Sequence, residues 1–406
     1  MLLTPLFHLM AEKQASDLFF TADAPICIKI NGAVMPINAQ ALDAEAVRKI
    51  AWDVMTEAQV GIFERQLELD FSCTVRDVGT FRINVFQQRG AVAMVIRHVK
   101  NRIPSIAGLR LPPSLGDLVL EKRGLVLIVG ATGSGKSSTL AAMIDHRNQS
   151  RSGHILTIED PIEYNFRHKQ SIINQREIGI DTHSYGHALI SAMREAPDVL
   201  AIGEIRDRET LQHAIIYAQT GHLCISTLHA NNSYHALNRI VSLFPHEARA
   251  SLLMDLSMTL RAVVSQRLLR ARDGSLVPAV ELLLNTLAIQ ELIRKGEFDQ
   301  IRDMMEQSMS PGSQTFERSL FTLFSSGLVS QDEALANADS PTNFAWLINN
   351  AREQPGSPGP DTVRLDPDPD PDPGAGARPP AGPSRVPVRT EGTDLGSFKF
   401  IEVDTE

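Results

Sequence analysis

Gly124-Leu125-Val126-Leu127-Ile128-Val129-Gly130-Ala131-Thr132-Gly133-Ser134-Gly135-Lys136-Ser137 decides the fold. Its first half is a short apolar run of the kind that becomes a strand buried on both faces. Its second half fits G-x-x-x-x-G-K-[ST] at every fixed position, and a helical stretch, Ser137 to His146, follows. Strand, glycine loop and helix in that order make a phosphate cradle. The glycines let backbone N–H groups turn inward around an anion, Lys136 brings a point charge to the β and γ phosphates, and the Ser137 hydroxyl is offered to Mg²⁺. The helix adds the positive end of its dipole. Gly130, Thr132, Gly133, Ser134, Gly135, Lys136, Ser137 and Ser138 are therefore the candidate nucleotide-binding residues. The alternative, a chance glycine-rich turn, has no need of Lys-Ser at its end. No N-K-x-D segment for reading guanine occurs in the chain, which favours ATP over GTP.

Further apolar runs follow at His154 to Ile158, Val199 to Gly203 and Leu223 to Thr227, with helical stretches such as Glu209 to Gln219 between them. That alternation predicts a βαβ-built α/β domain. Ligands of open parallel sheets bind beyond the carboxyl ends of the strands, so acids placed there face the phosphates. Glu159-Asp160-Pro161-Ile162-Glu163 follows the second run and Gly203-Glu204 the third. Hydrolysis needs one carboxylate to orient or deprotonate water and another on the side of the metal. Glu163 and Glu204 are the candidates, and solvated acids at strand ends are the alternative. Around the fourth run stand His222, Cys224 and His229. Zinc would need a fourth ligand, none is evident, and strand alternation does not bring these three together. His229 is the candidate sensor of the γ-phosphate and His222 a residue that orders the strand, with an ordinary polar role open for either.

The rest of the chain sets limits. At 406 residues and 43% hydrophobic composition it is long enough for two or three packed domains. A formal charge of -9 disfavours nucleic acid as a partner. Cys27, Cys73 and Cys224 lie far apart without a C-x-x-C pair, which points to a reducing compartment. Met1 to Met10 lacks a basic region and a cleavage site, and no apolar stretch approaches the roughly 20 residues of a membrane span. Leu2, Leu3, Leu6, Phe7, Leu9 and Met10 instead have the spacing of a helix packed on a core, a membrane anchor being the alternative. Short alternating segments, Ile26 to Ile30 and Phe81 to Phe86, with turns at Asn31-Gly32 and Val78-Gly79, make residues 1–100 a small α+β domain. A Pro-bearing linker spans 101–115, the ATPase domain 116–245, and a helical C-terminal subdomain 246–353, where Leu252, Leu253, Leu256, Leu260, Val263 and Val264 share a helical face. From 354 to 406 the chain turns Pro- and Asp-rich and is expected to be disordered. Phe398, Phe400, Ile401 and Val403 are either a docking peptide or part of an inert extension.

The P-loop, Thr157-Ile158-Glu159-Asp160-Pro161-Ile162-Glu163, the run Asp198-Val199-Leu200-Ala201-Ile202-Gly203-Glu204 and the histidine segment together resemble the secretion-ATPase superfamily of type II secretion and type IV pili. The resemblance covers about residues 1–350. It implies a PAS-like first domain, a RecA-like ATPase domain and a homohexameric ring working with ATP and Mg²⁺. It makes Glu163 the catalytic base, Glu204 the Walker B acid on the metal side and His229 the second histidine of the His box. Arg82, in Gly79-Thr80-Phe81-Arg82-Ile83-Asn84, and Arg97, in Val95-Ile96-Arg97, match positions that reach the triphosphate, strand-surface charges being the alternative.

Ser16-Asp17-Leu18, Thr220-Gly221-His222-Leu223-Cys224 and Ala334-Leu335-Ala336-Asn337-Ala338-Asp339-Ser340 are similar to the pilus-retraction branch of PilT and, especially, its paralogue PilU. That likeness implies a PilT-type ATPase and an inner-membrane platform protein as partners. Where PilT has A-I-R-N-L-I-R-E, this chain reads Ala288-Ile289-Gln290-Glu291-Leu292-Ile293-Arg294-Lys295, which favours the accessory role. An assembly or secretion ATPase of the same superfamily, or a regulator that binds nucleotide without turnover, are the competing expectations.

Overall fold

The computed structural model describes residues 2–353 apart from 31, 77, 100, 101, 308 and 309. The expectations for Asn31 and for the tail 354–406 lie outside the described residues. The chain divides into two units, Met1–Val99 and a second that starts at Lys100.

The first unit runs α1 (Thr4–Glu12), β1 (Asp17–Phe20), β2 (Cys27–Ile30), β3 (Ala33–Pro36), α2 (Ala44–Val54), α3 (Glu57–Gln66), β4 (Glu68–Val75), β5 (Gly79–Gln88) and β6 (Ala91–Val99). Its strands form an antiparallel sheet in the order β3-β2-β1-β6-β5-β4. Strict alternation along β5 buries Phe81, Ile83 and Val85 while Thr80, Arg82 and Asn84 face the other way. The leading helix packs onto this buried face, as its spacing predicts: Phe7 stacks on Phe81 at 4.2 Å between ring centroids. Such a pair adds about 0.5–1.5 kcal/mol beyond the area it buries. A capping box, Thr56 with Gln59, starts α3.

The second unit runs α4 (Ser114–Val119), β7 (Gly124–Gly130), α5 (Lys136–Ser150), β8 (Gly153–Glu159), β9 (Ser171–Glu177), α6 (Tyr185–Ala192), β10 (Val199–Ile202), α7 (Arg208–Gln219), β11 (Leu223–Leu228), α8 (Ser233–Ser242), α9 (His246–Thr259), β12 (Leu260–Arg270) and β13 (Leu276–Leu284). Its sheet has the order β13-β12-β7-β11-β10-β8-β9, parallel throughout except where β13 meets β12. Helices cover both faces, and β7 shows why its run is apolar without alternation. Leu125, Leu127 and Val129 enter the core under α6 to α10, whereas Val126 and Ile128 enter the core under α4 and α5. After β13 come α10 (Leu287–Lys295), α11 (Ile301–Gln307), α12 (Phe316–Ser325), α13 (Gln331–Ala336) and α14 (Pro341–Glu353).

One expectation is corrected here. The helical face read through Leu252, Leu253, Leu256, Leu260, Val263 and Val264 ends with α9 at Thr259, and Leu260, Val263 and Val264 belong to β12. A central strand apolar on both faces has no period-two signal, so it copies a buried helix in sequence. The sheet of the ATPase unit thus extends to Leu284, and helices alone follow from Leu287 among the described residues. Neither β9 nor β13 is signalled in the sequence reading.

Candidate functional site

Four strand ends meet at one cavity, lined by Thr132, Gly133, Lys136 and Ser137 after β7, Glu159, Asp160 and Glu163 after β8, Glu204 and Arg206 after β10, and Thr227 and His229 at the end of β11. All are carboxyl ends of adjacent parallel strands, where the crevice of such a sheet opens. Each predicted group therefore arrives from a separate strand, brought there by topology.

The loop after β7 is shaped by its glycines. A Cβ on Gly130 would stand 2.3 Å from the Ser134 hydroxyl and 2.7 Å from the Gln266 carbonyl, so no other residue fits. Gly135 has φ of 90° and is the N-cap of α5, which it leaves without a side-chain cap, whereas Ser184, Asp207 and Asn232 cap α6, α7 and α8. The first N–H groups of α5 are thus left for an anion. Lys136 Nζ donates to the carbonyls of Gly130 and Ala131, each at 2.9 Å. Burial lowers its pKa, and Glu204 and Glu163 oppose that shift, so both carboxylates stand within electrostatic reach of the ammonium. Gly130, Ser134, Gly135 and Ser138 are not among the residues that line the cavity. Ser134 Oγ is buried without a hydrogen-bond partner, and Ser138 Oγ meets Tyr164 Oη at 2.7 Å.

The carboxylates divide by environment. Glu159 is clamped: Thr157 Oγ1 donates to it at 2.7 Å and Gln175 Nε2 at 3.2 Å, and burial pushes its carboxyl pKa up. Glu163 is exposed on the β8–β9 connection. Glu204 has both oxygens engaged, Oε1 with His229 Nε2 at 3.2 Å and Oε2 with Arg206 Nε at 3.0 Å. Arg206 also reaches Asp160 Oδ2 at 3.3 Å, and its hydrogen bond to Glu204 raises its pKa further. Arg206 and Tyr185, whose hydroxyl pKa is pushed up by burial and then by Asp160, were missed from the sequence. Arg206 carried a usable signal, standing two residues beyond Glu204 at a strand end; Tyr185 carried none.

These residues fit a bound triphosphate: an uncapped helix start, a buried ammonium and an unpartnered hydroxyl surround the loop. For Mg²⁺ the lining offers the Ser137 hydroxyl and Glu204, and no group of three or more His, Cys, Asp or Glu able to hold a metal occurs among the described residues. Phosphate oxygens and water would complete such an ion's shell, the usual arrangement for Mg²⁺.

His222 is elsewhere. It precedes β11 while His229 follows it, so the strand separates them, and Cys224 lies fully buried in the core between. Arg82 and Arg97 belong to the first unit, directly opposite each other on β5 and β6, with Asp17 of β1 next in the row. Arg97 Nε donates to Asp17 Oδ1 at 2.9 Å.

No helix among the described residues is long and apolar enough to cross a membrane. Residues 1–301 match the family model "Type II/IV secretion system protein". The chain is 46% identical to the Type IV pilus ATPase PilU of Pseudomonas aeruginosa over 349 residues, 86% of this chain and 91% of that protein. It is 39% identical to the same organism's type IV pilus retraction ATPase PilT over 342 residues, 84% of this chain and 99% of that one. The crystal structure of the pilus retraction motor PilT with bound ADP superposes with a TM-score of 0.77 at 41% identity, covering 83% of this chain and 98% of that chain. With the fold, the P-loop and the converging carboxylates in agreement, the chain belongs to the type II/IV secretion system protein family, and within it to the ATPases.

Proposed function

We propose that this chain is an ATP-hydrolysing, homohexameric motor of the type IV pilus that works in retraction, in the accessory manner of PilU. The observation that carries this reading is the convergence of Lys136, Ser137, Glu163, Glu204 and His229 on one cavity. The α5 N-terminus and Lys136 bind the β and γ phosphates. Ser137 and Glu204 would hold Mg²⁺, which when bound would supply charge neutralisation to the phosphates. Glu163 takes a proton from the attacking water, whose oxygen bonds to the γ phosphorus while the bond to the β–γ bridging oxygen breaks. ADP and phosphate leave. Glu163 suits the base role because it is exposed, whereas Glu159 is clamped and Glu204 doubly engaged.

Charge supports a role for the first unit. Glu159, Asp160, Glu163 and Glu204 line the cavity against Lys136 and Arg206, so a polyanion there calls for further cations. We assign that part to Arg82 and Arg97, cross-strand partners on β5 and β6.

The accessory role rests on α10. Ile289, Leu292 and Ile293 form its buried face, while Arg294 and Lys295 both pair with Glu291 and Gln290 Nε2 donates to the Asn285 carbonyl. Against the PilT motif the first arginine becomes Gln290 and the final glutamate Lys295 while Arg294 is kept, and both cations pair with Glu291 within this helix. The partners in this reading are further copies of the chain, a PilT-type ATPase and the inner-membrane pilus platform, with the protein cytoplasmic and peripheral to that membrane. Imaging pili on a deletion strain tests it. Pili should persist and retract weakly, whereas their complete loss would favour an assembly ATPase.

A further inference from the structure

The segment after His229 is gripped from three sides. Ser233 N, at the start of α8, donates to Glu281 Oε1 at 2.8 Å, and Ser265 Oγ donates to the same buried oxygen at 2.9 Å. Asn232 uses both ends of its amide: Oδ1 accepts from His235 N at 3.0 Å to cap α8, and Nδ2 donates to Asp339 Oδ2 at 3.1 Å. Arg267 of β12 donates to the Asn231 carbonyl at 3.4 Å, to the Asn337 carbonyl and to Asp339 Oδ1, with its guanidinium 4.0 Å from the centre of the Phe316 ring. Its chain neighbour Gln266 is the register partner of Gly130, so the residues that hold this segment also abut the P-loop.

His229 is two residues before Asn231 and bonds to Glu204. A planar guanidinium bound on several edges fixes what it touches within a narrow range of positions, which a flexible ammonium does not do. The Asn337-Ala338-Asp339 segment, more than 100 residues further along the chain than Asn232, is thereby tied to the stretch that follows His229.

We infer that Arg267 and Asp339 are positioning residues for His229: their ion pair, closed on Asn231 and Asn232, holds the histidine where it can contact a γ-phosphate and couples that contact to the C-terminal helices. The inference rests on the reading of His229 as the γ-phosphate contact.

The test is the preference of the purified full chain for a non-hydrolysable ATP analogue over ADP, taken as the ratio of the two Kd values with Mg²⁺ present. Wild type, His229→Ala, Asp339→Ala, Arg267→Lys and the double variant Asp339→Ala/His229→Ala are compared, with thermal melting of each as a check on folding. His229→Ala, Asp339→Ala and Arg267→Lys should each reduce the ratio about tenfold, the size of one hydrogen bond to a charged group. Their ADP affinity should be unchanged, and the double variant should lose no more than His229→Ala alone. Arg267→Lys keeps the charge and removes the fork, so it carries the test if Asp339→Ala does not fold. Preference retained in both clasp variants but lost in His229→Ala would overturn the inference, as would an additive loss in the double variant. Equal weakening of ADP and the analogue would mean a merely structural role. If His229→Ala itself keeps the preference, the γ-phosphate reading fails and this inference falls with it.

Discussion

The two ends of β11 carry one histidine each and behave as different chemistry. At the amino end His222 Nδ1 meets Thr220 Oγ1 at 3.1 Å, its ring lies 5.4 Å from that of Tyr217, and its carbonyl accepts from Gly124 N at 3.0 Å. Around it the edge is closed by backbone: Leu223 N donates to the Asp198 carbonyl, and the Asp198 carboxylate accepts from His154 N at 2.8 Å. At the carboxyl end His229 faces a cavity shared with Lys136, Glu163 and Glu204. Residue type alone does not separate them. Strand direction does, because in a parallel sheet the chains leave for their helices on one edge only, and that edge supplies the loops that hold a ligand.

The comparison can be broken most severely at the P-loop. Lys136→Ala removes the one lysine of the carboxyl-edge cavity and should lower ATP turnover about 100-fold or more, since stabilisation of developing charge at that site depends on it. Phosphate release under saturating MgATP measures this, and a rate within a few-fold of wild type would leave the cavity without its central role. The histidines sharpen the contrast at smaller scale. His229→Ala should lower kcat about tenfold, in keeping with loss of one charge-assisted hydrogen bond in the site. His222→Ala should leave kcat and KM within about twofold and register instead as a small drop in Tm, since its partners are Thr220 and Tyr217. Equal kinetic effects from the two substitutions would show that the strand's ends are not functionally distinct.

The sequence carried the carboxyl edge well, and the reason is local. A P-loop encodes its own strand, turn and helix in adjacent residues, and Glu163 and Glu204 could be placed because each follows an apolar run closely. The strand β12 was lost because burial on both faces erases the alternation that marks a strand, leaving an apolar pattern that also suits a helix. The position of Arg206, two residues beyond Glu204, places it at the same edge, but its residue type does not say that it will bridge Glu204 and Asp160, which come from different strands. The Arg267–Asp339 pair joins residues 72 apart, beyond any periodicity. The segment Ala334 to Ser340 shows only a likeness in sequence, and its physical use, closing on Arg267 and Asn232, appears only in three dimensions. Arg82 and Arg97 are legible as strand residues, and the register of β5 and β6 adds that they are cross-strand partners.

The central claim is that a carboxylate at the carboxyl edge, Glu163, activates water on a nucleotide held by Lys136. Glu163→Gln tests it most directly, because the amide keeps the shape of the side chain and removes its capacity to accept a proton. Steady-state phosphate release and equilibrium ATP binding should be measured on the same preparation of this variant beside wild type. The account expects ATP to bind with unchanged or tighter affinity while turnover falls about 100-fold or more. Hydrolysis near the wild-type rate with Gln at position 163 would contradict it and move the base to another of the four acids around the cavity.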